Sequence, residues 1–148
     1  MVTAWMNGNL IKNILESDKK DNMNRIKTAE QKEIQETILA NYHNGHAFHD
    51  PELYRQILHP EWKFFLLEDD KLRIVDRKEF CTWYAPENFD PDLDWETEFF
   101  SIDVTGNQAA VKLRIENQDV KYIDYLNLMK IDGKWWIVHK LSHDRQKK

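Results

Sequence analysis

The chain has 148 residues, enough for one domain of ordinary size and too few for two. Its net charge of −5, with Lys and Arg mixed among the acids, argues against a nucleic-acid surface, because phosphate contact needs a basic patch. No stretch is long and apolar enough to span a bilayer, and residues 1–15 lack the basic start and apolar run of a secretory signal, so a cytoplasmic setting without a membrane partner is expected.

Residues 1–27 are polar, charged from Asp18 to Asp21, with a short apolar cluster at Leu10, Ile11, Ile14 and Leu15. They are expected to form a loosely ordered tail with a helical turn or two, and Met23 is a candidate natural start. Residues 28–148 then make a single α+β domain. Thr28 opens the first helix, and Gln31 stands at the capping-box position. Ile34, Ile38 and Tyr42 form an apolar stripe, and Gly45 is expected to mark the frayed end. Asp50 and Pro51 start a second helix as N-cap and first helical residue. Leu53, Ile57 and Leu58 supply its buried face, and Pro60 stops it.

Trp62, Phe64 and Leu66 alternate with Lys63, Phe65 and Leu67, the pattern of a strand. Asp69-Asp70 makes a turn into a short strand over Leu72–Val75. Asp76 caps a third helix with Glu79 at the reciprocal position; Phe80, Trp83 and Tyr84 form its apolar side, and Pro86 ends it. Residues 86–94 form a loop. A long antiparallel meander follows: Trp95–Val104 and Ala109–Glu116 around Gly106-Asn107, then Tyr122–Ile131 and Trp135–Leu141 around Asp132-Gly133. Helices first and hairpins last is an α+β order.

Two-residue turns fix cross-strand partners. Around Gly106-Asn107, Val104 faces Ala109, Ile102 faces Val111 and Phe100 faces Leu113. Around Asp132-Gly133, Lys130 faces Trp135, Leu128 faces Ile137, Leu126 faces His139 and Asp124 faces Leu141. The covered face of the last hairpin is then Tyr122, Asp124, Leu126, Leu128, Trp135, Ile137, His139 and Leu141. Asp124 and His139 are the polar pair on it, diagonal neighbours within side-chain reach. The opposite face, with Ile123, Tyr125, Met129, Trp136 and Val138, is also apolar. That predicts a homodimer formed through the outer face of the sheet.

The pattern Tyr42-x-x-Gly45, Leu58-His59-Pro60 and Val75-Asp76-Arg77-x-Glu79-Phe80, with the ending YIDYLNLMKIDGKWWIVHKL from Tyr122 to Leu141, resembles the nuclear-transport-factor-2-like superfamily of cystatin-like fold. It is most similar to the branch labelled putative lumazine-binding, close to ketosteroid-isomerase-like proteins, over residues 28–142. The resemblance implies a cone: three N-terminal helices packed in the concave face of a strongly curved, mainly antiparallel sheet. It also implies a pocket between helices and sheet and frequent homodimers. It carries no single activity, since the fold hosts isomerases, dehydratases, cyclases and binding modules. No residue of this chain matches the ketosteroid isomerase motif position by position.

Asp124 with His139 is the first chemical candidate: a general base tuned by an apolar cavity, with His139 or a tyrosine as acid. The commoner use of such a pair is a hydrogen bond that satisfies two covered polar groups. His43, His46 and His49 recur at three-residue spacing, but Gly45 and the expected helix end spoil the geometry, so no metal is expected. No Gly-rich phosphate loop is present, and no cofactor is expected. His59 reads as a helix C-terminal cap. Trp62, Phe64, Phe80 and Trp83 could stack on a flat ligand or simply fill the core. Lone Cys81 has no activating neighbour in sequence and forms no internal disulfide.

These readings converge on a small-molecule-binding domain with an apolar, aromatic-lined pocket for a small apolar or aromatic ligand. Its expected lining is Tyr42, His46, Trp62, Trp83, Tyr122, Asp124 and His139. The alternatives are an isomerase or dehydratase using Asp124 as base, and a dimerisation or protein-interaction module whose cavity its own side chains fill.

Overall fold

Thr28 opens the first helix with a reciprocal cap: its hydroxyl accepts from Gln31 N at 3.1 Å, and the Gln31 side-chain carbonyl accepts from Thr28 N at 2.9 Å. The computed structural model describes residues 9–13, which are helical, and residues 28–147. Most of the expected tail, including Ile14, Leu15 and Met23, lies outside the described residues. Helix α1 spans residues 29–48: α-helical over Ala29–Thr37, π-helical over Ile38–His43 and α-helical again over Asn44–Phe48. Ile34, Ile38, Tyr42 and His46 follow at strict four-residue spacing and are all fully buried. On a regular helix that spacing drifts by about 40° per step. The wider π turn takes up the drift and keeps the four side chains on the core side.

Gly45 does not end this helix, as the sequence had suggested. A Cβ at that position would lie 2.5 Å from Cε1 of Tyr54. The glycine is there because the Tyr54 ring packs against the helix backbone. The helix stops at His49, which takes the left-handed conformation with φ 47°.

Asp50 caps helix α2 (Pro51–Arg55) by accepting from Glu52 N, with Pro51 at the helix start. This helix is shorter than expected. Leu58 is not on its face but opens strand β1 (Leu58–Glu68). Pro60 is therefore inside a strand, where its missing N–H would break a regular ladder. It is tolerated because β1 pairs with the last strand at Leu58 and again only from Lys63, with an irregularity between them. Asp69 and Asp70 both adopt positive φ, 53° and 61°, and turn the chain into β2 (Lys71–Asp76). The Asp76 carboxylate accepts from Glu79 N at 2.8 Å and caps α3 (Arg77–Trp83). A 3-10 turn at Pro86–Asn88 lies within the expected loop.

The meander is β3 (Glu96–Thr105), β4 (Gln108–Glu116), β5 (Val120–Ile131) and β6 (Lys134–Gln146). The six strands run in the order β2-β1-β6-β5-β4-β3. All neighbours are antiparallel except β1 and β6, which are parallel. Both expected turns hold their register at the start: Val104 pairs with Ala109 and Ile102 with Val111, while Lys130 pairs with Trp135 and Leu128 with Ile137.

Further from the turns, two bulges change the partners. In β3, Phe99 rather than Phe100 pairs with Leu113, and Phe100 is the extra residue, exposed on the outer side. In β6, Val138 is the extra residue, so Asn127 pairs with His139, Leu126 with Lys140 and Asp124 with Ser142. The expected pairs Leu126–His139 and Asp124–Leu141 do not form. A one-residue bulge swaps the faces of everything beyond it. His139 and Leu141 therefore leave the covered face, and Lys140 and Ser142 join it.

The inner face and the helices share one core cluster, from Ile34, Ile38 and Tyr42 through Trp62 and Phe80 to Leu113, Leu126, Trp135 and Ile137. Helix α1 reaches β3 at one side of the sheet, where the Gln31 amide donates to Ile102 O at 2.8 Å. Helix α3 packs on β1 and β2 at the other side. One helical layer thus spans the sheet from edge to edge, which requires the sheet to curl around it.

Candidate functional site

Asp124 on β5 is fully buried, at 0% exposure, and Lys140 on β6 is at 4%. The Tyr42 hydroxyl, carried inward by the π segment of α1, donates to Asp124 Oδ2 at 2.5 Å. Lys140 Nζ lies 3.8 Å from the same oxygen, beyond a good hydrogen bond but close enough for strong Coulomb attraction in a dry interior. The ammonium also sits 4.5 Å from the ring centre of Phe64, 4.7 Å from Phe80 and 5.4 Å from Tyr42, at cation–π range of all three. Burial lowers the Lys140 pKa, and the Asp124 charge pulls it partly back. Burial first, then Asp124, raises the Tyr42 hydroxyl well above its ordinary value, so Tyr42 stays a donor. Among the described residues, Asp124 Oδ1 has no hydrogen-bond partner.

His46, one turn along α1, is enclosed by the rings of Tyr42, Tyr54, Tyr84 and Trp95 at centroid distances of 4.7, 5.4, 4.6 and 5.2 Å. Its Nδ1 lies 2.9 Å from both Tyr42 O and the Tyr54 hydroxyl, while among the described residues Nε2 has no partner. Burial, reinforced by the Lys140 charge, holds its pKa well below the usual value, so the imidazole is neutral. His43 and His49 do not join it: His43 Nδ1 meets Thr97 Oγ1 at 2.8 Å and His49 Nδ1 meets Ala85 O at 3.2 Å. Among the described residues no three metal-ligating side chains converge.

A cavity of about 620 Å³ opens beside this cluster. Its walls include Phe64 and Leu66 of β1, Phe80, Trp83 and the following Tyr84 of α3, Tyr122 of β5, and Lys140 and Ser142 of β6. Burial, the largest cause for both, raises the Tyr84 and Tyr122 hydroxyls above their ordinary values, so both stay protonated donors. A smaller cavity of about 370 Å³ shares Trp83, Tyr84 and Tyr122 and extends to Trp95.

The expected lining therefore divides. Trp83 and Tyr122 lie on the cavity wall. Tyr42, His46 and Asp124 form the buried layer behind it, and Trp62 is core against Phe80 at 5.1 Å. His139 is on the outer face, its ring 4.8 Å from Phe65, so it forms no pair with Asp124. The Val138 bulge sets those two residues on opposite faces of the sheet. Lys140 is the group that sequence reasoning missed. Its alternation with Trp136 and Val138 places it outside in an unbulged strand. The available signal was Asp124 itself: a covered carboxylate demands a cation, and Lys140 is one residue beyond the expected partner. Cys81 is buried, and burial pushes its thiol up, away from the nucleophilic thiolate.

Residues 29–143 match the family described as "Putative lumazine-binding". No curated protein matches the sequence at a significant level. Among solved structures, the chain is similar to an NTF2-like protein of unknown function from Shewanella baltica, with TM-score 0.70 and 23% identity over 81% of this chain and 98% of that one. It is similar to another from Methylobacillus flagellatus, with TM-score 0.69 and 25% identity over 81% and 95%. A Caulobacter vibrioides protein with a cystatin-like fold superposes with TM-score 0.57 and 14% identity over 78% and 89%. The helix order, the six-stranded sheet and the match over most of the chain agree: this protein has the fold of the NTF2-like proteins and belongs to the putative lumazine-binding family.

Proposed function

We propose that the chain is a small-molecule-binding domain whose site is the cavity between α3 and strands β1, β2, β5 and β6. The observation that carries this reading is the wall itself: about 620 Å³ of space lined by Phe64, Phe80, Trp83, Tyr84 and Tyr122, with one buried ammonium, Lys140. Apolar walls with a few placed polar groups are the usual build of a ligand pocket. The rings suit a flat ligand, and Lys140 with the Tyr84 and Tyr122 hydroxyls suits an oxygen or nitrogen acceptor on its edge. The family description points the same way, towards a bicyclic heteroaromatic.

Lumazine is the probe for a titration followed by tryptophan fluorescence. Wild type is expected to bind it, and Trp83→Ala to weaken binding about tenfold, the loss of one stacking ring. Equal affinity in the two proteins would place lumazine elsewhere and sink this site. Native mass spectrometry of the freshly purified chain adds an unbiased reading, since a retained ligand appears as extra non-covalent mass.

We also infer a homodimer through the outer sheet face, in a cytoplasmic setting. Phe100, Tyr125 and Met129 are exposed there, and Lys112 Nζ lies over both Phe100 and Tyr125, at 5.8 and 5.4 Å from their ring centres. The bulge in β3 thus adds Phe100 to an already apolar face. Light scattering should report a dimer that Tyr125→Glu splits into monomers; a monomeric wild type at tens of micromolar would end this inference.

A further inference from the structure

Lys140 is an unusual residue to find at the wall of an apolar cavity. A lysine that served only to neutralise Asp124 would be expected to donate to it directly. Here Tyr42 occupies Oδ2 at 2.5 Å and the ammonium stands back at 3.8 Å, its head among the rings of Phe64, Phe80 and Tyr42. The side chain is nearly buried, yet it is one of the groups that face the cavity. The titratable groups around it are Asp124 from β5 and, from α1, neutral His46, while His143 and Asp144 of β6 line the same cavity; Tyr42 from α1 and Phe80 from α3 complete the enclosure.

We propose that Lys140 is a reactive amine which condenses with an aldehyde or ketone ligand to form a reversible imine. The inference rests on the cavity being the ligand site. The neighbouring groups supply what the reaction needs. Desolvation favours the neutral amine, the nucleophilic form of lysine. Asp124 accepts the ammonium proton; among the described residues its Oδ1 has no competing partner. The amine lone pair then attacks the carbonyl carbon, the C=O π bond opens, and the oxygen takes the proton that the newly bonded nitrogen releases, giving a neutral carbinolamine. Asp124 returns its proton to that hydroxyl, the C–O bond breaks and water leaves. The product is a protonated imine beside the Asp124 carboxylate. The balance is one ammonium and one carbonyl giving one iminium ion and one water, with no oxidant or reductant. The aromatic walls suit an aryl or polyenyl aldehyde with its carbonyl turned toward Lys140.

The test uses the whole chain, 2-naphthaldehyde and sodium cyanoborohydride at neutral pH, with peptide mass mapping over time. Borohydride reduction freezes an imine as a stable secondary amine on the lysine that formed it. The expected result is an adduct at Lys140 that forms about tenfold faster than at the exposed Lys71 and Lys78. Excess 2-naphthylmethanol, the same ring without a carbonyl, should slow labelling at Lys140 and leave the two surface lysines unchanged. Fluorescence titration of that alcohol separates the two ways of failing. If the alcohol binds in competition with lumazine but the aldehyde marks only surface lysines, the amine chemistry is overturned and the pocket stands. If the alcohol and lumazine both fail to bind, the pocket fails and this inference falls with it. Lys140→Arg, which keeps the charge and cannot form the imine, should bind the alcohol and lose the fast adduct. A fast adduct that persists in that variant also overturns the assignment.

Discussion

A carboxylate and an ammonium taken out of water each lose several kcal/mol of hydration, and their mutual attraction recovers this only when the surroundings help. Around Asp124 the help comes from the short Tyr42 hydrogen bond, and around Lys140 from three ring faces. Removing one partner strands the other. Asp124→Leu and Lys140→Met are each expected to cost about 3–5 kcal/mol in urea denaturation, whereas the double replacement should cost less than the sum of the two. Additive losses would show that the residues do not act as a pair. At this scale the sequence exposed half of the site. Asp124 stood out as acid on an apolar face. Lys140 did not, because alternation along β6 assigns it to solvent until a bulge intervenes. Gly45 was misread for a related reason: a glycine required by a distant tyrosine ring looks, in sequence, like a glycine that ends a helix.

Two local departures from regular geometry decide which side chains meet. The π turn in α1 lets a four-residue stripe stay in the core over several turns, and it brings Tyr42 and His46 to the sheet. The Val138 bulge brings Lys140 to the inner face. Neither has a strong signature in residue type, whereas caps and turns do: Thr28, Asp50, Asp76, Asp69-Asp70, Gly106-Asn107 and Asp132-Gly133 all act as their chemistry suggests. Strand register was legible for the few pairs nearest each turn and lost beyond the first bulge. The bulge offers a direct test. Deleting Val138 removes the extra residue and leaves Ile137, His139 and Lys140 opposite Leu128, Asn127 and Leu126 in an unbroken ladder. That deletion should give a folded protein, destabilised by about 1–3 kcal/mol. Deleting Tyr125 from regular β5 shifts the register instead and turns the side chains beyond it to the wrong faces, so it should abolish cooperative unfolding. Equal behaviour of the two deletions would contradict the assigned register.

Over the whole molecule, the buried titratable groups set the range of pH in which the fold is stable. His46 is held neutral, with its pKa well below 6.5. As pH falls through 6.5, the unfolded chain takes up a proton that the native state refuses, so stability drops by about 1.4 kcal/mol per pH unit. Half-buried His43, also lowered, adds in the same sense. Lys140 is lowered as well, so the unfolded chain binds more protons below about pH 10.5 and stability rises as Lys140 deprotonates. Tyr42, Tyr54 and Tyr84 are raised. Above about pH 10 the unfolded chain loses their protons first, and stability falls again. Urea midpoints at pH 7.5, 6.0 and 5.0 measure the acid limb. The midpoint should fall through this range; a flat one would mean that His46 titrates normally in the native protein.

The position of β6 bears on how the chain is made. This strand comes last in chain order, yet it lies inside the sheet, with β1 on one side and β5 on the other. While a ribosome is still extending the chain, β1 and β5 each lack a neighbour and the core lacks Trp135 and Ile137. The nascent polypeptide can cap its helices and close its first hairpins, but the barrier to completing the sheet remains until residues 134–146 emerge. A message cut short within this segment yields a product with two open edges and an uncovered core, a form that degradation machinery recognises. Placing β6 in the interior therefore makes synthesis of residues 134–146 a condition of closing the sheet.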